Sequence, residues 1–449
     1  MVWPRDMLFI HGDCDTAYYT QALFNLSRLS APISALNIFF PGDFSRNILF
    51  GSHFEYTSTL YAPLYWLPLR PISISYYIFP LVTIILSAIW WNKLFKNTEN
   101  RLPVTLGYIL LFLSPWSGFY TGEFFFDRFA IPWILANIYF YKQKKFNLFI
   151  LTLLITTGFK EYFAVYASAF CLLYFLQYRY KKALIACVIF LIYTAVVMKF
   201  IMPHFFFGDS NLNYLFAPDA SSSLLARLLS ILQSAFSFPS LKYIFLVFAP
   251  FLFIPILAPH LILPALPIFA ILILSGKDPL MAKVAYYNVI PNTLFAVSFV
   301  YGMKNIATRK TVTFLVALIV IAFLSATELH SILYSIKSNT LSLLASKDKQ
   351  SEITGVLAYI EEGDVVSTTS KLTPYLVKDP SYIFPRPFAT PEIGATVDKI
   401  IISKYHGTYL LGFSSDAQLE ARLTEIAQQF GFKTLYASEK VKVLEKQRP

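Results

Sequence analysis

Ten stretches of apolar residues, separated by polar loops, constrain this chain more than any other feature. They fall near 72–92, 103–118, 128–142, 146–159, 162–178, 183–202, 241–256, 257–275, 284–303 and 311–332. No single water-excluding core can absorb so many long apolar runs, whereas the hydrocarbon of a bilayer accepts them as helices whose backbone groups pair internally. Only 14% of the residues are charged, against roughly 25% in a soluble domain. The mean hydropathy is +0.55, and the 44 Phe and 29 Tyr suit bilayer interiors and interfacial belts. Several runs are shorter than the ~20 residues a straight spanning helix needs, so length alone does not fix their edges.

The loops between the runs are unequal in charge. Lys93, Lys96 and Arg101 occupy one, Lys142, Lys144 and Lys145 a second, Arg179, Lys181 and Lys182 a third, and Lys304, Arg309 and Lys310 a fourth. These four loops hold 12 of the 23 Lys/Arg before residue 333, but only Glu99 among the 13 acids there. The positive-inside rule places all four in the cytoplasm, and the alternation of ten spans fits that side. The chain start, the 203–240 segment and the tail are then expected outside. The net charge of +11 is therefore a topology signal, and no nucleic-acid partner is expected. An outward start with no span before it means either that a first, eleventh span precedes the present Met1, the favoured reading, or that a later span carries a short tail across. The opening residues MVWPRDMLFI do not form a signal peptide.

Past about residue 333 the chain changes character. Residues 333–449 carry 14 basic and 13 acidic residues. An amphipathic run (Ile353, Val356, Leu357, Ile360) precedes Gly363 and a β-branched stretch from Val365. Strand-like runs recur at Ile400–Ile402, Lys433–Tyr436 and Lys440–Leu444, while Leu419, Leu423, Ile426 and Phe430 keep helical spacing up to Gly431. The expected architecture is a mainly α, polytopic membrane bundle over 1–332 and a small extracytoplasmic α/β domain over 333–449. The three cysteines give no disulfide framework and no zinc site. The tail shows no glycine-rich phosphate loop and no nucleophile elbow.

Charged residues near the outer ends of the runs are the candidates for chemistry, because ionisable groups in membrane proteins are costly and tend to be functional. Asp13 and Asp15 stand in the string His11-Gly-Asp-Cys-Asp ahead of a Tyr/Gln-rich amphipathic stretch. Glu123, Asp127 and Arg128 lie in the 116–128 turn, and Lys160 and Glu161 at an outer tip. His53, Tyr286 and Tyr287 are placed at the same face. Each has a plainer reading. Asp13 or Asp15 can be a helix N-cap, His53 a structural histidine, Lys160-Glu161 an interfacial ion pair, and the 123–128 group a solvated turn. Tyr286 and Tyr287 fit an aromatic belt or bundle packing, and Trp90 and Trp91 fit interfacial anchors. No good midplane acid of the kind a proton or ion transporter uses is evident.

Several strings resemble those of the predicted membrane proteins grouped as domain of unknown function 2079. They are Asp15-Thr-Ala-Tyr-Tyr-Thr-Gln21-Ala-Leu-Phe-Asn, Phe50-Gly-Ser-His53-Phe with Ala62-Pro63-Leu-Tyr65, and Gly158-Phe-Lys160-Glu161. Ala258-Pro259-His260-Leu with Leu266-Pro267, Tyr286-Tyr287-Asn and Tyr382-Ile-Phe-Pro385 complete the set. The layout of that family resembles the GT-C glycosyltransferases, including aminoarabinose transferases. Those enzymes carry an essential Asp in the first extracytoplasmic loop and take sugar from a polyprenyl-phosphate donor. The resemblance thus implies an inner-membrane, GT-C-like enzyme whose partners are membrane lipid and a polyprenyl-phosphate-linked sugar. The chain departs from the family in lacking a first span and in having Gly122-Glu123-Phe where a His-Pro-Glu-like string is expected.

Inverting transfer from a lipid phosphate needs one carboxylate to take the acceptor's proton and cationic or hydrogen-bonding groups on the leaving phosphate. Asp15 is the expected base and Asp13 the reserve. His53, Glu123, Arg128, Lys160, Glu161, Tyr286 and Tyr287 are the expected substrate contacts. A magnesium or manganese ion could bridge Asp15 and Glu123, since hard cations prefer carboxylate oxygen, although no spacing demands it. The alternative function is a non-catalytic transporter or lipid-handling protein.

Overall fold

The structure is a computed structural model that describes residues 14–30, 54–69, 71–114, 117, 126–202, 233, 236–274, 286–306, 310–324, 347–361, 363–368, 372, 383–384, 397–403 and 415–447. It is mostly helical. Each of the ten apolar runs contains a helix. After α1 (Cys14–Ser27) and a 3-10 segment (Tyr56–Trp66) come α2 (Phe79–Phe95, entered through a π-turn at Ile74–Ile78), α3 (Arg101–Leu113) and α4 (Ile131–Lys142). They are followed by α5 (Phe146–Thr157), α6 (Phe163–Tyr178), α7 (Lys181–Val196), α8 (Phe238–Phe248), α9 (Leu266–Leu274), α10 (Val289–Ile306) and α11 (Lys310–Leu324).

Two described helices, Ile74–Phe95 and Lys181–Ile201, are long and apolar enough to cross a bilayer. The second has only 17% of its most apolar window buried inside the protein, unlike the core helix of a soluble protein. Ile185, Ile189 and Ile192 are each more than half exposed, and lipid is the surrounding that removes the cost of such a face. The runs at 241–256 and 257–275 do not make two full helices. Pro250, Pro255, Pro259 and Pro264 remove backbone donors and clash with the preceding turn. The chain there advances in short 3-10 turns over Ala249–Phe251, Ile254–Leu257, Pro259–Leu261 and Leu263–Ala265. Gly302 of α10 lets this proline-rich strand lie close, for a Cβ there would meet the Ile254 backbone and side chain.

The four basic loops meet at one end of the bundle. The Lys142 ammonium sits 3.6 Å from the Tyr301 ring centre and that of Lys304 5.2 Å from the same ring. Phe95 packs on Tyr301 at 5.5 Å. Lys144 covers the Tyr178 ring, and Phe146 packs on Tyr180. Trp91 is no interfacial anchor: it is buried, and its Nε1 donates to Val104 O at 3.0 Å.

The C-terminal part contains α12 (Lys347–Leu357), α13 (Asp416–Phe430) and a five-stranded sheet of β1 (Val366–Thr368), β2 (Ile383–Phe384), β3 (Lys399–Ser403), β4 (Phe432–Ala437) and β5 (Val441–Lys446) in the order β2-β1-β3-β5-β4. β1 is parallel to β2 and β3, and β5 is antiparallel to β3 and β4. Leu419, Leu423 and Ile426 of α13 pack with Ile400, Ile402 and Leu444, while Ile401 and Val443 point into a separate cluster with Ile353 and Val356 of α12. Covering on both faces explains why β3 is buried at all five positions. Gly431 ends α13 in the left-handed conformation (φ 70°), where glycine carries no Cβ penalty.

Candidate functional site

At the end of the bundle opposite the basic loops, four short elements converge. They are the first turns of α1, the Glu55–Thr57 segment, the 3-10 turn Phe126–Ala130 and the tight Gly158–Tyr162 link between α5 and α6. The link is held by an exchange with Glu55–Thr57. Thr57 N donates to Gly158 O at 2.8 Å, Thr57 Oγ1 to Ile155 O at 2.5 Å, and the Tyr56 hydroxyl reaches Leu154 O and Thr157 Oγ1. Only glycine fits at 158, because a Cβ would collide with Thr57 Oγ1 and the Tyr56 ring. This crossing brings Glu55 beside Lys160.

Lys160 is the central cation. Its Nζ donates to Asp127 Oδ2 at 3.4 Å, and the two side chains are 3% and 2% exposed. The Tyr162 hydroxyl donates to the same oxygen at 3.0 Å. The Tyr287 ring lies 5.2 Å from the Lys160 ammonium and packs on Tyr162 at 5.6 Å. The ion pair therefore runs to Asp127 rather than to the adjacent Glu161. The solvated-turn reading of Asp127 and Arg128 is also overturned: both are buried, as Phe126 and Phe129 on the same turn pack into an aromatic cluster with Tyr61 and Phe79.

Glu55 completes the group. It is fully buried; its Oε1 accepts from the Tyr19 hydroxyl at 2.9 Å, and its Oε2 has no hydrogen-bond partner among the described residues. Burial pushes its carboxyl well above the ordinary range; Lys160 opposes that, while Asp127 adds to it, the Tyr19 hydrogen bond opposes it, and Glu161 again adds. Burial thus biases Glu55 towards its protonated form, whereas Asp127, paired and hydrogen-bonded, is the lysine's partner.

α1 is packed into the bundle rather than lying on its surface. Residues 19–24 are all buried. Tyr19 stacks on Phe126 at 6.0 Å, Thr20 shares a hydrogen bond with Ser75 at 2.8 Å, and the Trp66 indole donates to Ser27 O at 2.8 Å. Asp15 lies in the first turn of α1, so its backbone is one turn before the tyrosine that reaches Glu55.

The structure thus brings together Lys160, Glu161, Arg128 and Tyr287 of the residues singled out from sequence. For Asp15 and Tyr286 only the backbone is described; Asp13, His53 and Glu123 lie outside the described residues. Among the described residues no group of three or more His, Cys, Asp or Glu is placed to hold a metal ion, and the proposed Asp15–Glu123 bridge falls on side chains not described. Sequence reasoning missed Glu55, Tyr19 and Tyr162. A carboxylate between Phe54 and Tyr56, two residues after His53, was the available signal.

A helical bundle with a buried charge cluster at one end and basic loops at the other fits a helical membrane protein. The chain belongs to the family described as predicted membrane protein (DUF2079), whose model matches residues 6–434. No curated protein matches the sequence. The fold is similar to that of ArnT from Cupriavidus metallidurans bound to undecaprenyl phosphate, with a TM-score of 0.55, 12% identity, and coverage of 99% of this chain and 95% of that one. The apo state of the same protein gives a TM-score of 0.50 at 10% identity over the same shares. At such identities the likeness establishes an ArnT-like fold and nothing finer.

Proposed function

We propose that this protein is an inner-membrane glycosyltransferase that moves a sugar, with inversion, from a polyprenyl-phosphate donor to an extracytoplasmic acceptor. The observation that carries this reading is the buried Lys160, fixed by Asp127 and Tyr162 at the acid-rich end of the bundle. It sits in a fold shared with a protein seen with undecaprenyl phosphate. A departing lipid phosphate needs a cation placed in advance, in a site that excludes water. Lys160 takes that role, with Arg128 on the same turn as Asp127, which orients the ammonium. The positive-inside rule puts this end, and with it the C-terminal part, outside the cytoplasm.

The base is then sought among the remaining carboxylates. Asp127 is committed to the lysine, and burial biases Glu55 towards its protonated form, in which it donates a hydrogen bond rather than accepting the acceptor's proton. Asp15, in the first turn of α1, is the base in this reading, with Asp13 next in line. Glu161, Tyr287, Tyr286, His53 and Glu123 contact substrate. A magnesium or manganese ion remains compatible with the carboxylates at this end, but no step is routed through it.

The test is a transfer assay in membranes supplied with polyprenyl-phosphate sugars, comparing variants at equal expression. Asp15→Asn should lower turnover on the order of 10²–10⁴-fold, the usual contribution of a positioned base. Lys160→Ala should also weaken donor binding, since a cation on the phosphate acts in ground and transition state alike. If Asp13→Asn is inactive and Asp15→Asn is not, the base moves by two residues. If no donor is turned over, or neither change matters, the transferase reading fails and transport or lipid handling takes its place.

A further inference from the structure

The basic end of the bundle carries a charge imbalance that the transferase reading does not use. Lys142 closes α4 and Lys304 lies in the last turn of α10. Both ammonium groups sit on the one Tyr301 ring, at 3.6 and 5.2 Å from its centre. They are therefore closer together than the Debye length of about 10 Å at 0.1 M salt. Each is within electrostatic reach of the other, and His260, on the 3-10 turn Pro259–Leu261, is within reach of Lys142. No described carboxylate forms an ion pair with either lysine. This contrasts with Lys160 at the far end, which has Asp127, and with Lys399 in the sheet, which has Asp364 at 2.7 Å.

The ring and the helix ends offset this repulsion only in part. A helix C-terminus presents roughly half an elementary negative charge, which falls off within one turn, and a ring attracts a partly solvated cation only weakly. An anion that touches both lysines would remove it. The neighbouring surface shows what that anion is attached to. Asn305 Nδ2 donates to Leu257 O at 3.1 Å, which fixes the Ile254–Leu257 turn beside Lys304. On that turn Ile256 and Leu257 are 53% and 47% exposed. Cations next to outward aliphatic side chains match a phosphate head group continuous with acyl chains, whereas a free phosphate would have no use for the aliphatic face.

We infer that Lys142, Lys304 and His260, around Tyr301, form a binding site for the phosphate head group of an anionic phospholipid, with Ile256 and Leu257 against its acyl chains. Basic pockets between helices at the cytoplasmic side recognise such head groups. This site is independent of the polyprenyl-phosphate reading at the opposite end and stands if that reading fails.

The test is titration of the purified full-length chain in detergent with dioleoylphosphatidylglycerol or dioleoylphosphatidylcholine, read by native mass spectrometry as bound lipid. The wild type should retain the glycerol lipid in preference to the choline lipid. Each lysine removed should lower the affinity roughly fivefold, so Lys142→Gln/Lys304→Gln should abolish most of the preference. Lys93→Gln/Lys96→Gln, in another basic loop, should keep it, and Lys142→Arg/Lys304→Arg should restore it. Inorganic phosphate should not compete. Equal retention of the two lipids by wild type, or full preference in the double Gln variant, overturns the site. If inorganic phosphate displaces the lipid and binds in its place, the site is one for free anions and the lipid assignment falls. Should the double variant fail to fold, Lys304→Gln alone, at an exposed position, decides: an unchanged affinity overturns the proposal.

Discussion

The two ends of this bundle hold similar side chains under opposite conditions. At one end Asp127, Lys160, Glu161, Arg128 and Glu55 are all buried. At the other, Lys144, Lys145, Lys182 and Lys304 are exposed. Removing a charge from water costs several kcal/mol unless partners repay it, so the buried end needs fixed partners, which Asp127, Tyr162 and Tyr19 supply. Lys144, Lys145 and Lys182 need none, because water solvates them. Charges at the first end are specific in position; at the second, the Lys142–Lys304 pair on Tyr301 is held to a fixed geometry.

The contrast is broken most severely by removing one partner of the buried pair. Asp127→Ala leaves Lys160 facing neutral and acidic groups without its fixed counter-ion and should destabilise the protein by about 3–5 kcal/mol, seen as a lowered thermal midpoint in detergent. If Asp127→Ala unfolds at the wild-type temperature, the buried end is not held by this pair. Gly158→Ala comes next. The added Cβ collides with Thr57 and Tyr56, an overpacking that typically costs 1–3 kcal/mol. It should also reduce transfer activity more than a distant change of equal destabilisation, since it moves Glu55 from Lys160.

A finer test uses pH. The folded state raises the pKa of Glu55, so between the ordinary value near 4.3 and the folded value the native state binds more protons than the unfolded one. Stability from this group is therefore full at low pH and is lost as pH rises through that window. Glu55→Gln keeps a neutral side chain at all pH. The difference in melting temperature between wild type and Glu55→Gln should move against the wild type as pH rises; a constant difference would show that Glu55 ionises freely. The smallest effect is expected at the basic end. Lys144 is exposed, and its ammonium lies 5.2 Å from the centre of the Tyr178 ring. Lys144→Gln should change stability by no more than about 0.5 kcal/mol, and a larger loss measured by the same melt would erase the distinction between the two ends.

Much of the helical layout was legible from sequence. The run 162–178 is the helix Phe163–Tyr178, and the run 183–202 is covered by Lys181–Ile201. The failures are equally physical. The runs 241–256 and 257–275 have the right hydropathy, but hydropathy does not register that prolines every four or five residues break a helix. In the tail, α13 ends at Gly431 as its spacing and glycine foretold, whereas β2 has only the two residues Ile383–Phe384 and is too short to carry an alternation signal.

What the sequence determined by itself is set by local composition: which stretches are apolar, and which loops are basic. Those properties act residue by residue on the exchange between water and lipid, so no partner need be known to read them. The charge cluster is of another kind. Asp127 and Lys160 are 33 residues apart and Tyr19 and Glu55 are 36 apart, with no period linking them. Glu55 differs from an ordinary surface glutamate because the fold buries it beside Tyr19 and Lys160. Protonation state, ion pairing and burial belong to the spacing of groups in the folded chain, since each depends on the distance and dielectric between charges rather than on either residue's identity.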